Sequence, residues 1–77
     1  MRKHFAIVLR QFEVTEVITM QGKDLRDACE RELKNNEMLR ESFGTGAKVY
    51  EWIEDLVKGE DAIVLTSDSE MKQVDVA

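Results

Sequence analysis

The sequence has no proline, one cysteine, one histidine and four glycines among its 77 residues. A single cysteine excludes an internal disulfide framework and a cysteine-rich zinc site, so nothing in the composition indicates secretion. The one histidine, His4, has no further metal ligands around it at any usual ligand spacing. We therefore expect neither a bound metal nor a cofactor.

Long apolar runs and an excess of basic residues are missing as well. The apolar run at residues 5–9 stops at Arg10, short of the roughly 7–15 residues of a signal-peptide core, and nothing approaches the roughly 20 residues of a membrane span. A formal net charge of −5 argues against direct nucleic-acid binding, which requires a basic surface. We expect a cytoplasmic protein that contacts neither membrane nor nucleic acid.

What is present is the composition of one small globular domain covering residues 1–77, with 43% hydrophobic and 35% charged residues. Residues 4–12 and 14–20 are rich in β-branched and aromatic side chains and predict two strands. They most simply form an antiparallel hairpin turning near residues 11–13. Because that turn lacks Gly, Asn and Pro, one long bent strand is the alternative.

The remaining elements follow from helical spacing and capping residues. Asp24 is a predicted N-cap for a helix that continues towards residue 43, with Asn35 and Asn36 as the place where it ends or bends. A second helix is predicted at 47–58 and ends at Gly59, and residues 62–66 predict a third strand. Residues 71–77 either fray or add a short fourth strand through Val74 and Val76.

The order strand–strand–helix–helix–strand predicts an α+β fold. It is a two-layer sandwich in which two helices cover one face of a small antiparallel or mixed sheet of three to four strands. Residues 5–9 are apolar on both faces, and two helices cover only one of them. The second face, with Ala6 and Val8 at its centre, therefore predicts a homodimer interface.

No group of side chains predicts catalysis. Cys29 falls on the apolar stripe of the first helix and is expected to be a small buried hydrophobe. A nucleophilic pair of Cys29 with His4 would need a third orienting group, and none is evident. The segment Gly44-Thr45-Gly46-Ala47-Lys48 lacks the spacing of nucleotide-binding loops and is expected to join two helices. We expect no catalytic residues and no enzymatic activity, with a small enzyme that uses Cys29 as the alternative.

The distribution of charge is the least ordinary feature. Residues 1–43 carry equal numbers of basic and acidic side chains, so the whole net charge of −5 belongs to residues 44–77. Such a cluster serves either solubility or steering onto a basic partner. The second interpretation predicts a partner-binding surface on the second helix and the turn after it, formed by Glu51, Trp52, Glu54, Asp55, Glu60 and Asp61.

Four segments carry a resemblance of pattern: residues 5–9, 17–20, 24–28, and 63–65 with the acidic stretch through Asp75. Together they resemble the DpnD/PcfM-like and related small proteins of phages and mobile elements. The stretch Leu65-Thr66-Ser67-Asp68 is also similar to a strand end in phage inhibitors of uracil-DNA glycosylase, acidic proteins that mimic DNA. These resemblances imply a phage or prophage protein in the host cytoplasm.

The sequence-based hypothesis is a non-enzymatic accessory protein that binds, and inhibits, a host or phage protein with a basic surface. Two alternatives remain open. One is a DNA-mimic inhibitor of a DNA-binding enzyme, and the other is a self-associating homodimer module with no separate partner.

Overall fold

The computed structural model describes residues 2–11 and 14–68. Two strands come first, β1 (Lys3–Gln11) and β2 (Val14–Gly22). Three helices follow, α1 (Leu25–Asn35), α2 (Glu37–Phe43) and α3 (Gly46–Lys58), and the described chain ends with β3 (Ala62–Ser67). The α+β class is confirmed, with one correction to the element order: three helices, not two, separate β2 from β3.

The three strands form one antiparallel sheet in the order β2-β1-β3. β1 is central, and its residue Ile7 lies opposite Ile18 of β2 and Val64 of β3. The pairing of β1 with β2 runs from Lys3–Gly22 to Gln11–Val14, which confirms the hairpin and excludes one long bent strand. The fourth strand predicted at residues 71–77 lies outside the described residues.

Side-chain alternation divides the sheet into two different faces. Phe5, Ile7 and Leu9 of β1 point to the helices and form the core. The side chains that complete this core come from both layers and are Met20, Ala28, Cys29, Leu33, Leu39, Val49, Ile53 and Ala62.

The start of α1 is held by a reciprocal pair of carboxylates. Asp24 is the N-cap, and its side chain accepts a hydrogen bond of 2.8 Å from the Asp27 backbone N–H. Asp27 Oδ2 in turn accepts from the Lys23 backbone N–H at 2.8 Å and from Arg31 Nε at 2.8 Å. The predicted cap at Asp24 is confirmed, and it satisfies amide donors that a helix start leaves unpaired.

The first predicted helix is divided at Asn36. Its backbone is extended there (φ −127°, ψ 98°), and its side chain accepts a hydrogen bond of 3.1 Å from Leu39 N–H as the N-cap of α2. Arg40 reaches back and donates through Nη1 to the carbonyl oxygens of Leu33 at 2.7 Å and Lys34 at 3.0 Å. The break is stable because both helix ends at this point have hydrogen-bond partners.

Glycine and threonine make the joint between α2 and α3, as the sequence predicts. Gly44 ends α2 with φ +80°, a conformation that favours glycine. Thr45 is the N-cap of α3 and accepts a hydrogen bond of 3.3 Å from Lys48 N–H. A phosphate-binding loop of the nucleotide-binding type follows a strand, whereas this segment follows a helix.

Candidate functional site

The acidic face of α3 consists of Glu51, Glu54 and Asp55, all three exposed. Consecutive helical residues are about 100° apart, so the three carboxylates lie within an arc of about 100° on the side away from buried Ile53. Within residues 2–11 and 14–68 the structure shows one ion pair, between Arg31 and Asp27. None of the three carboxylates is paired with a described cation, although Lys48 and Lys58 lie on the same side of the helix.

Two further acids continue the charge beyond the end of α3. Glu60 and Asp61 are both exposed. The Asp61 carbonyl oxygen accepts a hydrogen bond of 2.8 Å from Arg10 N–H, which anchors this turn to the end of β1. Since the Asp61 N–H also donates to the Leu56 carbonyl oxygen, backbone hydrogen bonds join the turn to both β1 and α3.

Trp52 is half-buried and lies on a different flank of the helix. Its ring packs against Phe43 of α2 with a centroid distance of 5.0 Å and an interplanar angle of 38°. Because Trp52 and Glu54 are two residues apart, they point about 200° away from each other around the helix axis. Trp52 thus packs towards α2, whereas Glu54 borders the opposite side of α3.

An apolar groove of about 290 Å³ opens beside Glu54. Leu25, Ile53 and Val64 form its walls together with Val57, which is 43% exposed. Glu54 and Lys58 stand at the rim. Sequence reasoning missed this groove because its lining comes from three separate elements, α1, α3 and β3.

The open face of the sheet, the one turned away from the core, carries the residues of the predicted dimer interface. Ala6 and Val8 are 0% and 3% exposed, so they offer little surface themselves. Strand register places Leu65 and Ile63 of β3 directly beside them. These two side chains are 41% and 42% exposed, and together with half-buried Val17 of β2 they supply accessible apolar surface on this face.

His4 and Cys29 do not meet as a nucleophilic pair. Cys29 is fully buried, with Sγ 3.9 Å from Met20 Sδ, and burial, with a further contribution from Glu30 and Glu32, raises the pKa of its thiol to about 11. Because successive side chains of a strand point to opposite faces, His4 lies on the other side of β1 from the core residue Phe5. Cys29 is a buried hydrophobe, as the sequence predicts.

No three His, Cys, Asp or Glu side chains of the described ranges are grouped to hold a metal ion. No helix within those ranges combines the length and apolarity needed to cross a bilayer.

No family model, curated protein or solved structure matches this chain. The resemblance to small phage proteins stays a prediction from sequence pattern.

Proposed function

We propose that this protein acts by binding another protein through the acidic face of α3, without catalysis of its own. The observation that carries the proposal is the set of three exposed carboxylates, Glu51, Glu54 and Asp55, none paired with a described cation. Like charges four residues apart on a helix, as in Glu51 and Asp55, cost a few tenths of a kcal/mol. The helix carries this cost together with acids at its negative end, which favours a role in recognition.

The groove next to Glu54 supports the same proposal. Charges at the rim of an interface mainly raise association rates, whereas buried apolar anchors supply most of the affinity. The groove, with partly exposed Val57 beside the carboxylates, provides space for such an anchor. The partner that fits has a bulky apolar side chain surrounded by Lys and Arg. We favour a partner that is a host or phage protein and whose activity is inhibited by the contact.

Affinity capture tests the proposal with three baits. The first is the wild-type chain, the second carries Glu51→Lys and Glu54→Lys, and the third is a control with Glu37→Lys and Glu41→Lys on α2. Both variants change the net charge equally at exposed sites. Each is incubated with lysate of the encoding organism at low and high salt, after circular dichroism has confirmed its fold.

We expect one protein that the wild type and the α2 control retain at low salt and that the α3 variant loses. Displacement of that protein by duplex DNA would identify the DNA-mimic alternative. Retention of the same proteins by all three baits, or of none by the wild type, contradicts the proposal.

Self-association through the open face is a second candidate, favoured by the exposure of Ile63 and Leu65. Because Ala6 and Val8 are buried, charged residues there would disturb the fold itself. Sedimentation velocity over a concentration series is therefore run on the wild type and on an Ile63→Thr, Leu65→Thr variant, since Thr retains β propensity. A dimer that the variant weakens is expected, and a strictly monomeric wild type excludes this candidate.

A further inference from the structure

A second cavity, the polar cleft, lies where β1 begins and β2 ends, beside the C-terminal half of α1. Its volume is about 620 Å³. Its lining consists of Arg2, directly before β1, His4 of β1, Thr19 and Gln21 of β2, and Arg31, Glu32, Lys34 and Asn35 of α1. It shares no residue with the acidic face or the apolar groove.

The lining of the polar cleft is rich in cations and hydrogen-bond donors. Three cationic side chains, Arg2, Arg31 and Lys34, line it against one carboxylate, Glu32. Burial raises the pKa of Glu32, against a smaller opposing effect of its hydrogen bond with Asn36. Arg31 donates through Nε to Asp27 at 2.8 Å, and the fork geometry of a guanidinium offers further N–H donors at Nη. The cleft is therefore locally basic in a chain of net charge −5.

The end of α1 beside the polar cleft is electrostatically unusual. The C-terminus of a helix carries partial negative charge on its free carbonyl oxygens. Arg40 donates to two of these oxygens, those of Leu33 and Lys34. Its guanidinium offsets the negative helix end and adds positive charge beside Lys34.

We propose that the polar cleft binds a small organic phosphate. Guanidinium and ammonium groups are the preferred protein partners of phosphate oxygens, and Asn35 of α1 adds a polar side chain that can hydrogen-bond the rest of the molecule. Phe5 and Met20 form an apolar part of the lining. The volume falls in the range of about 300–1,000 Å³ typical of ligand pockets, larger than inorganic phosphate needs.

The net negative charge of the chain does not oppose this binding strongly. Interactions between exposed charges are largely screened beyond about 8 Å at physiological ionic strength. The carboxylates of the acidic face lie on α3, which contributes no residue to the polar cleft. With Arg31 paired to Asp27, the lining still has two further cations, Arg2 and Lys34, against the one carboxylate of Glu32.

Titration with AMP, ribose 5-phosphate, inorganic phosphate and adenosine, followed by two-dimensional NMR, tests this proposal. We expect saturable shifts at the polar-cleft residues with AMP or ribose 5-phosphate, at least about tenfold tighter binding than inorganic phosphate, and no saturation with adenosine. The two organic phosphates distinguish a nucleotide from a sugar phosphate. Equal affinity for inorganic phosphate and AMP, or no saturation with any phosphate, overturns the proposal.

Matched variants separate a specific site from general attraction of anions. Arg2→Gln and Lys34→Gln remove two exposed cations from the polar cleft, whereas Lys48→Gln and Lys58→Gln remove two exposed cations from α3. One charge-assisted hydrogen bond lost lowers affinity at least about fivefold. We expect that loss with the cleft variant alone, with an amide spectrum showing it folded. An equal loss in both variants shows non-specific attraction and rejects the site.

Discussion

Glu60 takes a backbone conformation that helix ends usually reserve for glycine. Its φ is +61°, and it directly follows Gly59, the C-cap of α3. The N–H of Asp61 bonds to the Leu56 carbonyl at 2.8 Å, and the N–H of Glu60 bonds to the Val57 carbonyl at 3.1 Å. These two bonds form a Schellman motif. Gly59 thus lies one position before Glu60, the residue whose positive φ favours glycine.

Replacing Glu60 with Gly is expected to stabilise the fold. A left-handed conformation costs an L-residue roughly 1–2 kcal/mol, part of which the greater flexibility of glycine in the unfolded chain cancels. Urea denaturation should show a gain of about 0.5–1 kcal/mol. Glu60→Ala is the control, because it removes the carboxylate without relieving the φ. A Gly variant no more stable than the Ala variant contradicts this account of the turn.

The carboxylate of Asp27, at the start of α1, makes the stability of the fold depend on pH. The backbone N–H of Lys23, and then the guanidinium of Arg31, hold the pKa of this carboxyl below its ordinary value. A pKa lowered by folding stabilises the fold above the unfolded pKa of about 3.9, and this contribution is lost as the pH falls through the folded pKa. The contribution is present at neutral pH.

Asp27→Asn should therefore be less stable than the wild type at pH 7, and the difference should shrink as the pH falls below about 4. Chemical denaturation at a series of pH values measures this. Glu41→Gln is the control, since Glu41 is exposed and has no such contact among the described residues. A difference between wild type and Asp27→Asn that does not change with pH would reject the role given to this carboxylate.

At the scale of elements, the division between α1 and α2 depends on side chains that meet only in the folded chain. Asn36 caps α2 locally, but Arg40 completes the break by bonding to carbonyl oxygens six and seven residues earlier. Sequence pattern marked Asn35 and Asn36 as a weak point without deciding between a bend and an end. The hydrogen bonds of Arg40 that decide this cannot be predicted from helix propensity.

Asn36→Ala should cost about 1 kcal/mol, because it removes the N-cap of α2 and leaves Leu39 N–H without its partner. Asn36→Asp retains a capping oxygen and should lose less stability than Asn36→Ala, although it replaces the amide that hydrogen-bonds Glu32 with a second carboxylate. Urea denaturation of the two variants gives the comparison. Equal stability of the Ala and Asp variants would show that the cap does not maintain the break.

Elements with strong periodicity were predictable. The strands β1, β2 and β3 and the helix α3 follow from alternation or helical spacing, and the cap at Asp24 follows from residue type. The packing of the Trp52 ring against Phe43 was not predictable, because Phe43 belongs to another helix.

At the scale of the whole molecule, three surfaces differ in character: the acidic face of α3 with its apolar groove, the open face of the sheet, and the polar cleft. The carboxylates of the acidic face could be predicted from spacing along one helix. The groove and the polar cleft could not, since each is lined by three elements whose relative placement follows from core packing. Sequence pattern located the charges, and tertiary structure added the cavities.

The association rate between this protein and the partner captured at low salt tests the central claim most directly. It is measured by stopped flow from about 20 to about 300 mM salt. For the wild type we expect a steep fall with salt, as electrostatic steering requires. The Glu51→Lys, Glu54→Lys variant should associate about tenfold more slowly at the lowest salt and lose that dependence, while the Glu37→Lys, Glu41→Lys variant follows the wild type. Identical rates for the α3 variant and the wild type at every salt concentration would contradict the claim that this face binds the partner.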